Sequence, residues 1–366
     1  MTDSTWPTWL PLRPHLSDLA PYGAPQVDAV AALNTNENPF ALPQALTDAI
    51  TKDISRVAAT LNRYPDRDAL SLRAALANYV NNQSSTDFSP AQIWAANGSN
   101  EIIQSLFLAC GSQGAIGFVP SYSMHPLIAK VTSTNWIDGK REGDLSLDVE
   151  SAINQIKKNP QGLTFITSPN NPTGEALTID EIERIAQHVS GLLVVDEAYA
   201  EFSEEVSAVT LIAQYPHVVV IRTMSKAFAF AGARVGYLVA HQSVIDAMML
   251  VRLPYHLSTL TQSAALVALE FKDELLSGVR ELIVQRDLVS TALTEIGLTV
   301  LPSQANFLLF TGFSMSSKDL WKSMLDRGIL IRDVGLSGYL RTTIGTADEN
   351  KKFLSALQEC LAKERS

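Results

Sequence analysis

The chain has 366 residues, of which 46% are hydrophobic and 18% charged, enough to bury a large core and form two domains. Its formal net charge of −10, with no Lys/Arg cluster, argues against a nucleic-acid partner, because binding a phosphate backbone needs a basic surface. The six histidines include no i, i+3 or i, i+4 pair, and Cys110 and Cys360 lie far apart, which argues against a metal centre or a disulfide framework.

Residues 1–40 are rich in proline and weak in periodicity, so an N-terminal arm laid over the domains is expected. The opening MTDSTWPTWLPLRPHL has an early acid and repeated prolines where a signal peptide carries an unbroken apolar stretch. No apolar run is long enough to span a bilayer, so a cytoplasmic protein with no membrane partner is expected. From 41 to 260, short apolar runs alternate with amphipathic stretches, which predicts a large α/β domain with a mainly parallel central sheet. A helix is predicted from Ser99 through Ile102, Leu106 and Leu108. Strands are predicted at 114–120, 163–167, 192–196, 218–222 and 235–240. Thr178 followed three residues later by Glu181 reads as a capping box opening the helix that carries Ile182, Ile185 and Ala186. From 261 to 366, long helices and strand-like segments at 306–310, 328–332 and 339–344 predict a smaller C-terminal α/β domain.

Ligands of open α/β sheets bind outside the carboxyl ends of the parallel strands. Asn171 follows one predicted strand in SPNNPTG, Asp196 and Tyr199 follow the next, Ser225 and Lys226 the third, and Arg234 lies shortly beyond. Lys226 is the only ionisable side chain between Thr223 and Ala233. Burial there depresses the pKa of an amine and makes it nucleophilic, the property on which Schiff-base lysines depend. Each residue alone has an ordinary explanation, as a turn, a helix cap, a core phenol or an ion-pair partner. Together they match the needs of pyridoxal 5'-phosphate: a lysine for its aldehyde and for proton transfer, an aspartate for the pyridine nitrogen, a phenol and an amide for the ring oxygen. Its phosphate needs a helix N-terminus and charge-assisted donors, for which NGSNE offers the amides of Ser99 and Asn100, completed by Ser225 and Arg234.

These segments, with PYGAPQ at 21–26, LNTNENPF at 33–40, RYPD at 63–66, PSYSMH at 120–125, ANF at 305–307, GILIRD at 328–333 and LRTTIG at 340–345, extend over nearly the whole chain. The sequence resembles the fold-type I pyridoxal-phosphate aminotransferases and, within them, the histidinol-phosphate aminotransferases. That resemblance implies a homodimer that moves an amino group from histidinol phosphate to 2-oxoglutarate, giving glutamate, in a ping-pong cycle. It implies that Tyr122 stacks on the cofactor ring and that Tyr64 reaches the cofactor phosphate of the neighbouring subunit. Arg341 and Arg332 are implied to grip the anionic end of the substrate, Tyr22 to close over it, and Asn36 and Tyr255 to line its pocket. The sequence departs from the resemblance at Asn100, where many relatives carry an acid. Two guanidinium forks suit a site that must accept a phosphate ester and a carboxylate in turn; the ordinary alternative for Arg332 is an ion pair with Asp333. Rival readings are an aromatic amino-acid aminotransferase, a decarboxylase of a phosphorylated substrate and a cofactor-binding regulatory module, the last normally joined to a DNA-binding domain.

Overall fold

The computed structural model describes residues 6, 7 and 9–364; residues 1–5 and 8 of the expected arm, and 365–366 at the other end, lie outside it. In chain order the elements begin with β1 (Ala31–Ala32), α1 (Gln44–Ala58), α2 (Leu70–Ser84), β2 (Ile93–Ala96), α3 (Ser99–Cys110), β3 (Ala115–Val119), α4 (Met124–Val131) and β4 (Trp136–Lys140). They continue with α5 (Val149–Lys158), β5 (Leu163–Thr167), α6 (Ile179–Ala186), β6 (Leu192–Asp196), β7 (Val218–Thr223), β8 (Gly236–Val239) and α7 (Gln242–Val251). The C-terminal part holds α8 (Thr259–Glu270), α9 (Lys272–Glu295), β9 (Thr299–Val300), β10 (Phe307–Thr311), α10 (Ser317–Leu325), β11 (Ile329–Leu330), β12 (Leu340–Thr343) and α11 (Ala347–Glu364).

The central sheet has seven strands in the order β2-β8-β7-β6-β5-β3-β4, and only β8 runs against its neighbours. β5 and β7 are buried along their whole length, which is why LTFIT and VVVIRT read as nearly continuous apolar runs. Helices α3 and α7 cover one face, packing on Trp94, Phe165 and Leu238. The capping box at α6 forms as the spacing predicts, Thr178 Oγ1 accepting from the Glu181 amide. Two strands of this sheet carry no legible pattern. β2 is the short IWAA. β4 (WIDGK) is an edge strand, mostly half-exposed or exposed, so it tolerates the Asp, Gly and Lys that a central strand excludes.

A second, antiparallel sheet, β12-β10-β9, lies in the C-terminal part. The segment 328–332 forms only the two-residue β11, which pairs in parallel with β1 of the arm. The arm is held further by the Leu33 amide on Leu330 O at 2.7 Å and the Thr343 amide on Leu33 O at 2.9 Å. Its next residues, 34–38, are thereby laid along the end of the central sheet. Helix α8, which begins at Thr259 and so runs across residue 260, packs against α1 and α2.

Candidate active site

Strands β5, β6 and β7 are neighbours and parallel, so the residues that follow them meet at one edge of the sheet. There they line a cavity of about 660 Å³. Ser99, Asn100, Tyr122, Asn171, Asp196, Tyr199, Ser225, Lys226 and Arg234 all face it, with Tyr22, Asn36, Arg332 and Arg341 on its other walls. Tyr64 and Tyr255 do not. Tyr64 is 79% exposed and stacks on Tyr255 with ring centroids 4.4 Å apart and planes 15° from parallel. Tyr255 is therefore not a pocket residue of its own chain. After α7, Arg252 binds the carboxylate of Asp68 and the carbonyl of Arg67, which ties the segment carrying Tyr255 to the segment that follows Tyr64, and both tyrosines lie outside the cavity lining.

The Lys226 amine donates to Thr35 O at 2.9 Å. Burial, reinforced by the like charges of Arg341 and Arg234 and opposed by Glu37, pulls its pKa down to about 8. Asp196, at the end of β6, is almost solvent-free and accepts from the Ala198 amide at 3.2 Å. Its other oxygen lies 3.0 Å from His125 Nε2, and the His125 ring meets the edge of Tyr122 at 5.4 Å. His125 is the residue that sequence reasoning missed. It falls inside the PSYSMH segment, but a lone histidine in the first turn of α4 has no periodic or pairwise signal.

Tyr199 Oη accepts from Asn36 Nδ2 at 2.9 Å and Asn171 Nδ2 at 3.3 Å. Burial raises its pKa, against the opposing pull of Arg341 and the two amides. Arg341 donates through one nitrogen to Asn171 Oδ1 at 2.6 Å and through another to Asn34 O at 2.7 Å. Its Nε is buried with no partner among the described residues, and burial draws the guanidinium down to about 10. Arg332 is joined to Arg341 by a pair of backbone bonds of 2.9 and 3.0 Å. Among the described residues it has no ion pair with Asp333, whose carboxylate instead accepts from the Gly335 amide at 2.9 Å.

The remaining wall is built for close approach. Gly98, with φ 80°, precedes α3, and a Cβ on it would lie 2.6 Å from Arg234 Nη2. A Cβ on Gly236 would lie 2.6 Å from the Ser99 nitrogen. Two glycines thus let the Arg234 guanidinium sit beside the first amides of the helix. Arg234 also reaches Ser225 Oγ at 3.4 Å. Asn100 accepts from Tyr122 Oη at 3.1 Å through its side-chain oxygen, a contact that occupies the position where an acid was expected.

The family "aminotransferase class I and II" matches residues 28–357. The chain belongs to the class I and II aminotransferases. Among aminotransferases of this kind, the histidinol-phosphate aminotransferase of Mycobacterium sp. (strain JLS) is 52% identical over 351 residues, 95% of this chain and 93% of that one. That of Nocardia farcinica (strain IFM 10152) is 52% identical over 358 residues, 97% of this chain and 93% of its own. In fold, the aminotransferase resembles the crystal structure of histidinol-phosphate aminotransferase from Sinorhizobium meliloti in complex with pyridoxal-5'-phosphate. The TM-score is 0.84 at 22% identity, covering 97% of this chain and 98% of that one. Among the described residues of the aminotransferase, no group of His, Cys, Asp or Glu could hold a metal ion, and no helix is long and apolar enough to cross a membrane.

Proposed function

We propose that the protein is a pyridoxal-phosphate aminotransferase that takes the amino group of L-histidinol phosphate and passes it to 2-oxoglutarate. The observation that carries this reading is the pairing of Arg332 with Arg341 in the lining of a cavity that also holds Lys226 and the first residues of α3. The names of relatives at 52% identity support the choice of donor.

The donor set fits pyridoxal phosphate, and the close approach of Arg234 to the first amides of α3, which Gly98 and Gly236 permit, fits its phosphate. When bound, that cofactor supplies an aldehyde that condenses with amines and a ring that draws electrons from the substrate's Cα. The Ser99 and Asn100 amides, Ser225 Oγ and Arg234 would hold the phosphate. Asp196, steadied by His125, would keep the ring nitrogen protonated; Tyr199 and Asn171 would bind the ring oxygen; Tyr122 would cover one face. Lys226, whose pKa near 8 leaves a useful fraction uncharged at neutral pH, would take the proton from the substrate's Cα and return it. Arg341 and Arg332 would clamp the phosphate of one substrate and a carboxylate of the other, and Tyr22, half-exposed at the rim, would exclude water. A cytoplasmic setting goes with two such charged metabolites.

The test is a donor screen with 2-oxoglutarate, in which histidinol phosphate is expected to give a higher kcat/KM than phenylalanine, tyrosine or leucine. A preference for phenylalanine or tyrosine would move the reading to an aromatic aminotransferase. Carbon dioxide release without glutamate would mean a decarboxylase.

The same proposal makes the enzyme a homodimer in which Tyr64 serves the neighbouring site. It is supported by the exposure of Tyr64 outside its own cavity and of Leu250 and Leu253 near Tyr255, at 79%, 86% and 74%. Mixing Lys226→Met with Tyr64→Ala subunits leaves one hybrid site intact only if Tyr64 acts in the partner. Recovery of about half the wild-type activity per hybrid dimer is then expected, by counting independent sites. No recovery, with exchange confirmed by mass, would put Tyr64 in its own chain's structure.

A further inference from the structure

The cavity carries three carboxylates, and two are already engaged. Asp196 is paired with His125, and Asp333 closes its own turn on Gly335. The third, Glu37, is exposed at the cavity wall and makes no hydrogen bond or ion pair among the described residues. Its neighbours are the opposite. Asn36, at φ 54°, is pinned through its amide on Thr343 Oγ1 at 3.0 Å, its side chain on Tyr199 and its carbonyl on Asn306 Nδ2 at 3.1 Å. Asn38 donates to Lys226 O at 3.3 Å and accepts from the Phe40 amide at 3.0 Å. The backbone on both sides is therefore immobilised while the carboxylate between them is left unused, within the electrostatic reach of the Lys226 amine. An unpaired acceptor carried on an anchored segment beside the reacting centre is free to meet a donor that arrives with the ligand.

The two amino donors of the proposed cycle differ in what they offer such a group. Glutamate brings two carboxylates, which Glu37 repels. Histidinol phosphate brings a phosphate for the arginines and, at its other end, an imidazole with one N–H when neutral and two when charged. We infer that Glu37 accepts a hydrogen bond from the imidazole of the amino donor, which makes it a specificity residue for one half-reaction. This rests on histidinol phosphate being the donor.

The test compares the holoenzyme with Glu37→Ala and Glu37→Gln, measuring each half-reaction by single turnover with histidinol phosphate, with phenylalaninol phosphate and with glutamate. In Glu37→Ala, the histidinol phosphate concentration that half-saturates the single-turnover rate is expected to rise about 10- to 100-fold, the loss of one charge-assisted hydrogen bond. Glu37→Gln, which keeps an acceptor oxygen, should recover part of it. Phenylalaninol phosphate, which lacks the ring N–H, should show no such penalty, and the glutamate half-reaction should hold or gain. Because donors are compared within each variant, a partly misfolded preparation does not alter the ratio. Equal penalties on the two phosphorylated donors, equal penalties on both half-reactions, or no penalty at all would overturn the inference while leaving the proposed reaction standing. A wild type that does not use histidinol phosphate would overturn both.

Discussion

Replacing Lys226 by methionine is expected to lower turnover by at least about 10⁴-fold, because both the amine that engages the cofactor aldehyde and the base that moves the Cα proton are removed together. The phosphate cradle and the contacts to the ring do not involve Lys226, so the variant should still bind pyridoxal phosphate. Borohydride treatment should fix the cofactor on the 226-bearing peptide of the wild type and release it freely from the variant. A label on any other lysine would refute the assignment. The same substitution has an opposite effect on stability. In the ligand-free protein the folded Lys226 titrates near 8, against 10.5 for an ordinary lysine. Below pH 8 the folded state carries the full penalty of a charged amine in the cavity wall. Between 8 and 10.5 the unfolded chain binds more protons than the folded one, so stability rises with pH; above 10.5 both forms are neutral and the penalty is gone. The Tm of ligand-free Lys226→Met should therefore exceed that of wild type most clearly below pH 8, and the gap should close by about pH 10.5. A gap independent of pH would show that the amine is not desolvated.

Asp196→Asn is expected to keep the fold and most cofactor affinity while kcat falls roughly 30- to 1,000-fold, the cost of about 2 to 4 kcal/mol in transition-state stabilisation. The carboxylate has almost no exposure, and among the described residues its side-chain partner is His125, so no second acid is at hand to replace its charge. The amide is nearly isosteric, which separates charge from packing. His125→Asn should cost less, because it orients Asp196 without touching the reacting atoms. Turnover of Asp196→Asn within threefold of wild type would contradict the role.

Much of this arrangement is legible in the chain because local chemistry encodes it. The strands that end at Thr167, Asp196 and Thr223 are buried on both faces and therefore spelled in apolar residues, and the segments after them are where a parallel sheet must place its ligand contacts. The Thr178–Glu181 box is legible for the same reason, its hydrogen bonds spanning only three residues. From such signals the α/β class, the cavity-facing residues that follow β5, β6 and β7, and the unusual setting of Lys226 could all be read. What only the tertiary structure decided depends on partners distant in the chain. The pairing of Ala31–Ala32 with Ile329–Leu330 brings Thr35 and Glu37 to Lys226, and two-residue strands have no periodicity to announce them. The bond of His125 to Asp196, the bridge between Arg332 and Arg341, and the stacking of Tyr255 with Tyr64 away from the cavity are likewise set by elements that meet only after folding. A pattern of burial records which face of a segment is covered. It does not record by what, and the charge and hydrogen-bonding of this site depend on the answer.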